Sequence, residues 1–130
     1  MASQVTFTDS VTVDATGGTS EASLFVDPAS DYLKDHFPGA PTLPGLVMLE
    51  AAVRAAAALW DATAQLEHVE RLQVVRRVVP GETFVVQTAI DACGGEQHTR
   101  WFNARGTVAG APAMRARFRL RRCGANERSE

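Results

Sequence analysis

A histidine, a carboxylate and an expected pair of free backbone donors lie together between residues 35 and 60, in DHFPGAPTLPGLVMLEAAVRAAAALW. His36 stands on a loop where Pro38, Pro41 and Pro44 fix φ and push each preceding residue into an extended conformation, so the imidazole sits on a stiff segment. Held there, it can act as a positioned proton acceptor or simply hydrogen-bond within its loop. Pro44-Gly45 reads as a helix start, because the N–H that proline lacks has no partner in a first turn anyway. The N–H groups of Gly45 and Leu46 would then point out of the helix at the positive end of its dipole. A ligand oxygen suits that place, and the missing side chain of Gly45 would let it approach closely. Glu50 follows one turn later, on a face shared with Leu46, Val53, Ala57 and Trp60. An acid on such a stripe is either paired or functional, and Arg54 at i+4 is the natural ion-pair partner.

Positioning these groups falls to the elements around them. Residues 46–64 carry only Glu50, Arg54 and Asp61 as charges, the pattern of one long buried helix. Before it, Val5, Phe7, Val11 and Val13 alternate with polar residues as a strand with one buried face. Gly17-Gly18 turns the chain, residues 22–26 return as a second strand, and residues 27–31 form a turn. Residues 69–79, 82–92, 97–109 and 113–122 read as four more strands, separated by Pro80-Gly81, by Cys93-Gly94-Gly95-Glu96 and by Gly110-Ala111-Pro112. Two strands, a helix and four strands joined by short turns predict an α+β fold with an antiparallel sheet against one central helix.

The 130 residues fit one domain over residues 1–123, with residues 124–130 as a flexible tail. Cys93 and Cys123 show no CxxC spacing, which points to a reducing, cytoplasmic setting without a zinc site. The N-terminal residues alternate instead of placing a basic stretch before an apolar one, so no secretory signal is expected. The longest uncharged run, residues 37–49, holds three prolines and is too short to span a bilayer. Charge is uneven although the net is −2: residues 1–65 set eight acids against Lys34 and Arg54, and residues 66–130 set seven acids against eleven arginines. That asymmetry favours an acidic partner for the second half. Nucleic acid is not expected, since no recognition motif accompanies the arginines. Arg115, Arg117, Arg119 and Arg121 alternate with Ala116, Phe118 and Leu120 as on a solvated sheet face.

His-Phe-Pro-Gly-x-Pro-x-x-Pro-Gly followed by a helix bearing an acid resembles the 3-hydroxyacyl-[acyl-carrier-protein] dehydratases of fatty-acid synthesis, through His36, Phe37, Pro38, Gly39, Pro41, Pro44, Gly45, Leu46, Glu50 and Ala51. Glutamate at position 50 is similar to the branch that only dehydrates, whereas the dehydratase-isomerase branch has aspartate. The stretch Arg76-Arg77-Val78-Val79-Pro80-Gly81-Glu82-Thr83-Phe84 is similar to the family's RRPVxPGD segment. The resemblance implies a hotdog fold, about six antiparallel strands wrapped around one long helix, and an enzyme needing no metal or redox cofactor.

In a 3-hydroxyacyl thioester the C2 proton is weakly acidic and hydroxide leaves poorly. Dehydration therefore needs a base at C2, an acid at the C3 oxygen and donors for the enolate-like thioester oxygen. The resemblance implies His36 as the base, Glu50 as the group that protonates or orients the hydroxyl, and the N–H of Gly45, beside Leu46, as the oxygen's donor. It also implies a dimer in which the histidine and the acid of one site come from different subunits. The acyl group would arrive on the phosphopantetheine of an acyl carrier protein, which Arg76 and Arg77 would help to dock. The chain departs from the pattern in lacking an N-terminal helical segment, in Asp35 where glycine is common, and in Arg54 where glutamine is common. A cation beside Glu50 would favour the carboxylate over the acid; because the helix is apolar on most sides, Arg54 is expected to turn outward, its guanidinium reaching the sheet edge or a dimer surface at less desolvation cost than a closed pair. Two rival functions use the same fold. A thioesterase would direct water with Glu50 and release free acid, and an accessory subunit would bind acyl chains or complete a heterodimer.

Overall fold

The computed structural model describes residues 11–14, 18–27, 42–91 and 98–123. Among them, six strands and one helix follow in the order β1 (Val11–Asp14), β2 (Thr19–Phe25), α1 (Gly45–Trp60), β3 (Ala64–Val74), β4 (Thr83–Asp91), β5 (Thr99–Val108) and β6 (Ala111–Arg122). The strands form one sheet in the order β1-β2-β4-β5-β6-β3, antiparallel throughout. Alternation sets its inner face. Ala22 and Leu24, Phe84 and Val86, Phe102 and Ala104, then Ala116, Phe118 and Leu120 are buried. Against them α1 lays Val47, Met48, Leu49, Ala51, Ala52, Ala55 and Ala56. Four of these are alanines, which let the helix backbone come close to the sheet. α1 touches all six strands, so the sheet wraps the helix. A polar latch fixes it: the Ser20 hydroxyl on β2 donates to the Ala55 carbonyl at 2.6 Å and meets the Thr88 hydroxyl of β4, with both side chains buried.

The helix ends at Trp60, four residues before the expected boundary. Asp61 turns left-handed (φ 56°, ψ 50°), and its N–H returns to the carbonyls of Ala57 and Ala58, a conformation that aspartate tolerates better than most residues. Residues 64–68 belong instead to β3, which starts five residues earlier than expected. Leu66, Val69 and Leu72 recur every third residue, which breaks the period-two alternation of a strand. Two bulges, between Leu66 and His68 and between Val69 and Arg71, set all three opposite Leu120, Phe118 and Ala116 of β6, with Val69 and Leu72 against the core and Leu66 left exposed at the edge. The extra residues at those bulges are Glu67 and Glu70, and both reach arginines of β6. Glu67 accepts from Arg119 at 2.7 Å and Arg121 at 2.6 Å, and Glu70 accepts from Arg117 at 2.6 Å.

Val11 and Val13 are 38% and 44% exposed and do not line a buried face, because β1 is an edge strand. The part of the first expected strand at residues 5–10 lies outside the described residues, as does Cys93. The last hairpin turns at Ala109 and Gly110, both with positive φ (51° and 84°), so Ala111 and Pro112 already belong to β6. No helix among the described residues is long and apolar enough to cross a membrane.

Candidate functional site

The segment after β3 prepares the start of α1. Val75 and Arg76 donate their N–H groups to the Ala113 carbonyl. Arg76 then grips Glu82 through Nη1 at 3.2 Å and Nη2 at 3.0 Å, while the Val79 N–H donates to Glu82 Oε1 at 2.9 Å. This folds residues 75–82 into a compact bend around the fully buried Val78. Gly81 and Glu82 exchange backbone hydrogen bonds with Val26, and the Val78 carbonyl takes the Leu43 N–H at 2.7 Å. Leu43, immediately before Pro44, is therefore held by the very stretch that resembles the family's second segment.

Of the two arginines expected to dock a carrier, Arg76 is committed to Glu82, and Arg77 is exposed. The Arg76 guanidinium, with the Val79 N–H, lowers the Glu82 carboxyl from its ordinary value of 4.5. A group whose value falls on folding stabilises the folded state above its unfolded value and loses that contribution as pH falls through the folded one. Acidification from neutrality to below 4.5 should therefore reduce the melting temperature of the parent more than that of Glu82→Gln. Equal losses in thermal melts would detach this pair from acid sensitivity.

At the helix start, Pro44 is extended (φ −64°, ψ 146°) and supplies no side-chain cap. The N–H groups of Val47 and Met48 both return to its carbonyl, at 3.0 and 3.2 Å. Those of Gly45 and Leu46 have no backbone acceptor among the described residues, which is the arrangement that accepts an anionic oxygen. A Cβ on Gly45 would point at Val74 Cγ2 (3.4 Å) and Leu72 Cδ2 (4.0 Å). The bare glycine thus faces β3, and its lack of a side chain serves helix–strand contact. Leu46 is 73% exposed beside it, and Val74 and Val75 are half exposed. This apolar collar escaped the sequence reading because it joins two elements far apart in the chain.

Glu50 is exposed, and so are Arg54 and Ala58 one and two turns on. The expectation of a helix buried all round fails on this stripe, because the sheet covers only the face running from Val47 to Ala56. Among the described residues no hydrogen bond or ion pair joins Glu50 to Arg54, which has interactions of its own. His36 lies outside the described residues, with Phe37, Pro38, Gly39 and Pro41. The structure therefore brings together Gly45, Leu46 and Glu50, with Arg54 on the same side of α1.

Comparison with known proteins bears on this arrangement. The family model of ApeI-like proteins, described as ApeI dehydratase, matches residues 12–111. The 3-hydroxyacyl-[acyl-carrier-protein] dehydratase FabZ of Syntrophomonas wolfei subsp. wolfei (strain DSM 2245B / Goettingen) is 37% identical over 71 residues, 49% of this chain and 49% of that one. The chain thus spans about half the length of that curated relative. Among solved structures, the dehydratase heterocomplex ApeI:P from Xenorhabdus doucetiae superposes with a TM-score of 0.65 at 23% identity, covering 81% of this chain and 88% of that one. An apo-hexameric acyl-CoA thioesterase gives 0.66 at 9% identity, covering 88% and 76%. At such identities these two structures speak to the fold, which is the hotdog. The family match takes in most of the chain, including α1, Glu50 and the segment that holds Leu43, and the protein belongs to the ApeI-like dehydratase family.

Proposed function

We propose that the protein removes water from a 3-hydroxyacyl thioester, delivered on the phosphopantetheine of an acyl carrier protein, to give the trans-2-enoyl thioester. The observation that carries this reading is the exposed Glu50, without an ion-pair partner among the described residues, one turn inside a helix start whose first two N–H groups have no backbone acceptor among those residues, in a chain of a dehydratase family. His36 takes the C2 proton, the electron pair forms the C2–C3 double bond, and the C3–O bond breaks. Glu50 delivers a proton to the departing hydroxyl, which leaves as water. The Gly45 and Leu46 N–H groups hold the thioester oxygen as charge gathers on it; one such donor contributes about 3 kcal/mol to the transition state. The role of His36 rests on its place in the loop motif.

A second hotdog chain would complete the site. In one chain, Leu46 and Glu50 stand uncovered on α1, and the edge strand β3 exposes Leu66 and Val74. A dimer burying these would enclose the acyl chain and bring a histidine from the partner subunit to Glu50. That partner is a second copy in the simplest case, while the solved ApeI:P heterocomplex supports a different subunit as the alternative. Mass spectrometry of the product tests the reaction: a 3-hydroxyacyl pantetheine thioester should lose one water with its thioester intact. Release of free acid would identify a hydrolase instead, and turnover only on adding a second hotdog chain would identify the heterocomplex.

A further inference from the structure

The outer face of the sheet divides into two electrostatic halves. At one end, Arg119 and Arg121 share Glu67, Arg117 is held by Glu70 and Asp91, and Trp101 lies beneath Arg117 and Arg119 at 4.6 and 5.2 Å. Every cation there has an acid. At the other end, Arg105 of β5 stands directly opposite Arg115 of β6, and Arg71 of β3 directly opposite Arg117. None of Arg71, Arg105 and Arg115 meets a carboxylate among the described residues; Arg115 touches only Gln73, at 3.4 Å. The nearest acid on the register, Glu21 of β2, is two strands from Arg105, with Gln87 between them.

Like charges directly opposite on neighbouring strands face each other at about 5 Å and destabilise the pair. Arg105 and Arg115 keep this arrangement on an exposed face where polar residues would be tolerated. Between them and the small residues Thr19 and Ala89 the surface sinks into a depression of about 300 Å³, which Arg71 also lines. Its floor is sheet backbone, since the intervening Ala104 and Ala116 turn inward to the core. It lies on the opposite side of the sheet from α1 and from the thioester site.

We propose that this depression is a binding site for a multiply charged phosphate-type anion, which the guanidinium groups of Arg71, Arg105 and Arg115 grip by charge-assisted hydrogen bonds. Guanidinium forks match phosphate oxygens in geometry, and a multiply charged anion between Arg105 and Arg115 turns their repulsion into attraction to a common centre. The ligand could be a free phosphate or a phosphate carried on a larger molecule.

Thermal unfolding of the full chain in phosphate-free, low-salt buffer separates these cases. Inorganic pyrophosphate should raise the melting temperature above that in sodium chloride of equal ionic strength. Arg105→Gln and, separately, Arg115→Gln should each raise the apparent Kd for pyrophosphate about tenfold or more. Without pyrophosphate, both substitutions should raise the melting temperature slightly, because each removes one of two opposed charges. A nucleoside diphosphate binding as well as pyrophosphate would support recognition of the phosphates alone, and one binding more tightly would support a carried phosphate. Stabilisation by pyrophosphate no greater than by matched chloride, or stabilisation undiminished in both variants, would overturn the proposal.

Discussion

Glu50→Gln should lower kcat for dehydration of a 3-hydroxyacyl thioester by about a hundredfold or more, with the melting temperature almost unchanged. The two halves of that expectation have separate grounds. Glutamine keeps the shape of the side chain and its capacity to hydrogen-bond, but it has no proton to deliver to a leaving hydroxyl. Stability should hold because Glu50 is exposed and makes no ion pair among the described residues. His36→Ala should produce a loss of the same order, since the proposed elimination needs base and acid on one substrate. Arg54→Gln should leave the pH dependence of kcat/KM nearly unmoved, because Arg54 does not bond Glu50. Steady-state kinetics beside thermal melts check all three, and full activity in Glu50→Gln would remove the carboxylate from the mechanism.

The largest single loss of stability should follow Gly106→Ala. Gly106 lies on β5 at the break in register with β6, and its missing side chain makes room for the buried ring of Phe84 on β4. A Cβ there would lie inside the ring's contact distance and 3.3 Å from Met114 Cβ. Phe84 and Met114 are both fully buried, so neither can swing away into solvent. Overpacking of this kind costs about 3 kcal/mol, a fall of roughly 10 °C in melting temperature for a chain of this size. Shortening the ring in Gly106→Ala with Phe84→Leu should recover part of the loss, since the two substitutions act on one contact. A parent-like melting temperature for Gly106→Ala would show that the β4–β5 packing is looser than the structure has it.

Much of this architecture was legible in the chain itself. Period-two alternation marked β6, turn residues bounded β4 and β5, and Pro44-Gly45 marked the start of α1 to within one residue. The junction between α1 and β3 was not legible, because two bulges interrupt the period-two alternation across residues 64–72. A bulge is a property of a strand pair and leaves no local signal beyond the acids it displaces. The exposure of Glu50 was hidden for a related reason. Counting charges along the helix shows how apolar it is, but the face the sheet leaves uncovered depends on where β3 and β4 run. At the site, the residue types and their spacing named Gly45, Leu46 and Glu50 together. The apolar collar of Leu46, Val74 and Val75, and the direction in which Gly45 faces, needed the fold.

The reverse reaction gives the most direct test of dehydration at this site. A trans-2-enoyl pantetheine thioester, incubated with the pure protein in heavy-oxygen water, should return a 3-hydroxyacyl thioester with the label in its C3 hydroxyl and none in the thioester carbonyl, and Glu50→Gln should slow that incorporation by about a hundredfold or more. Label appearing in the carboxylate of a released free acid, with none at C3, would contradict the account, because water would then have been directed at the thioester carbon.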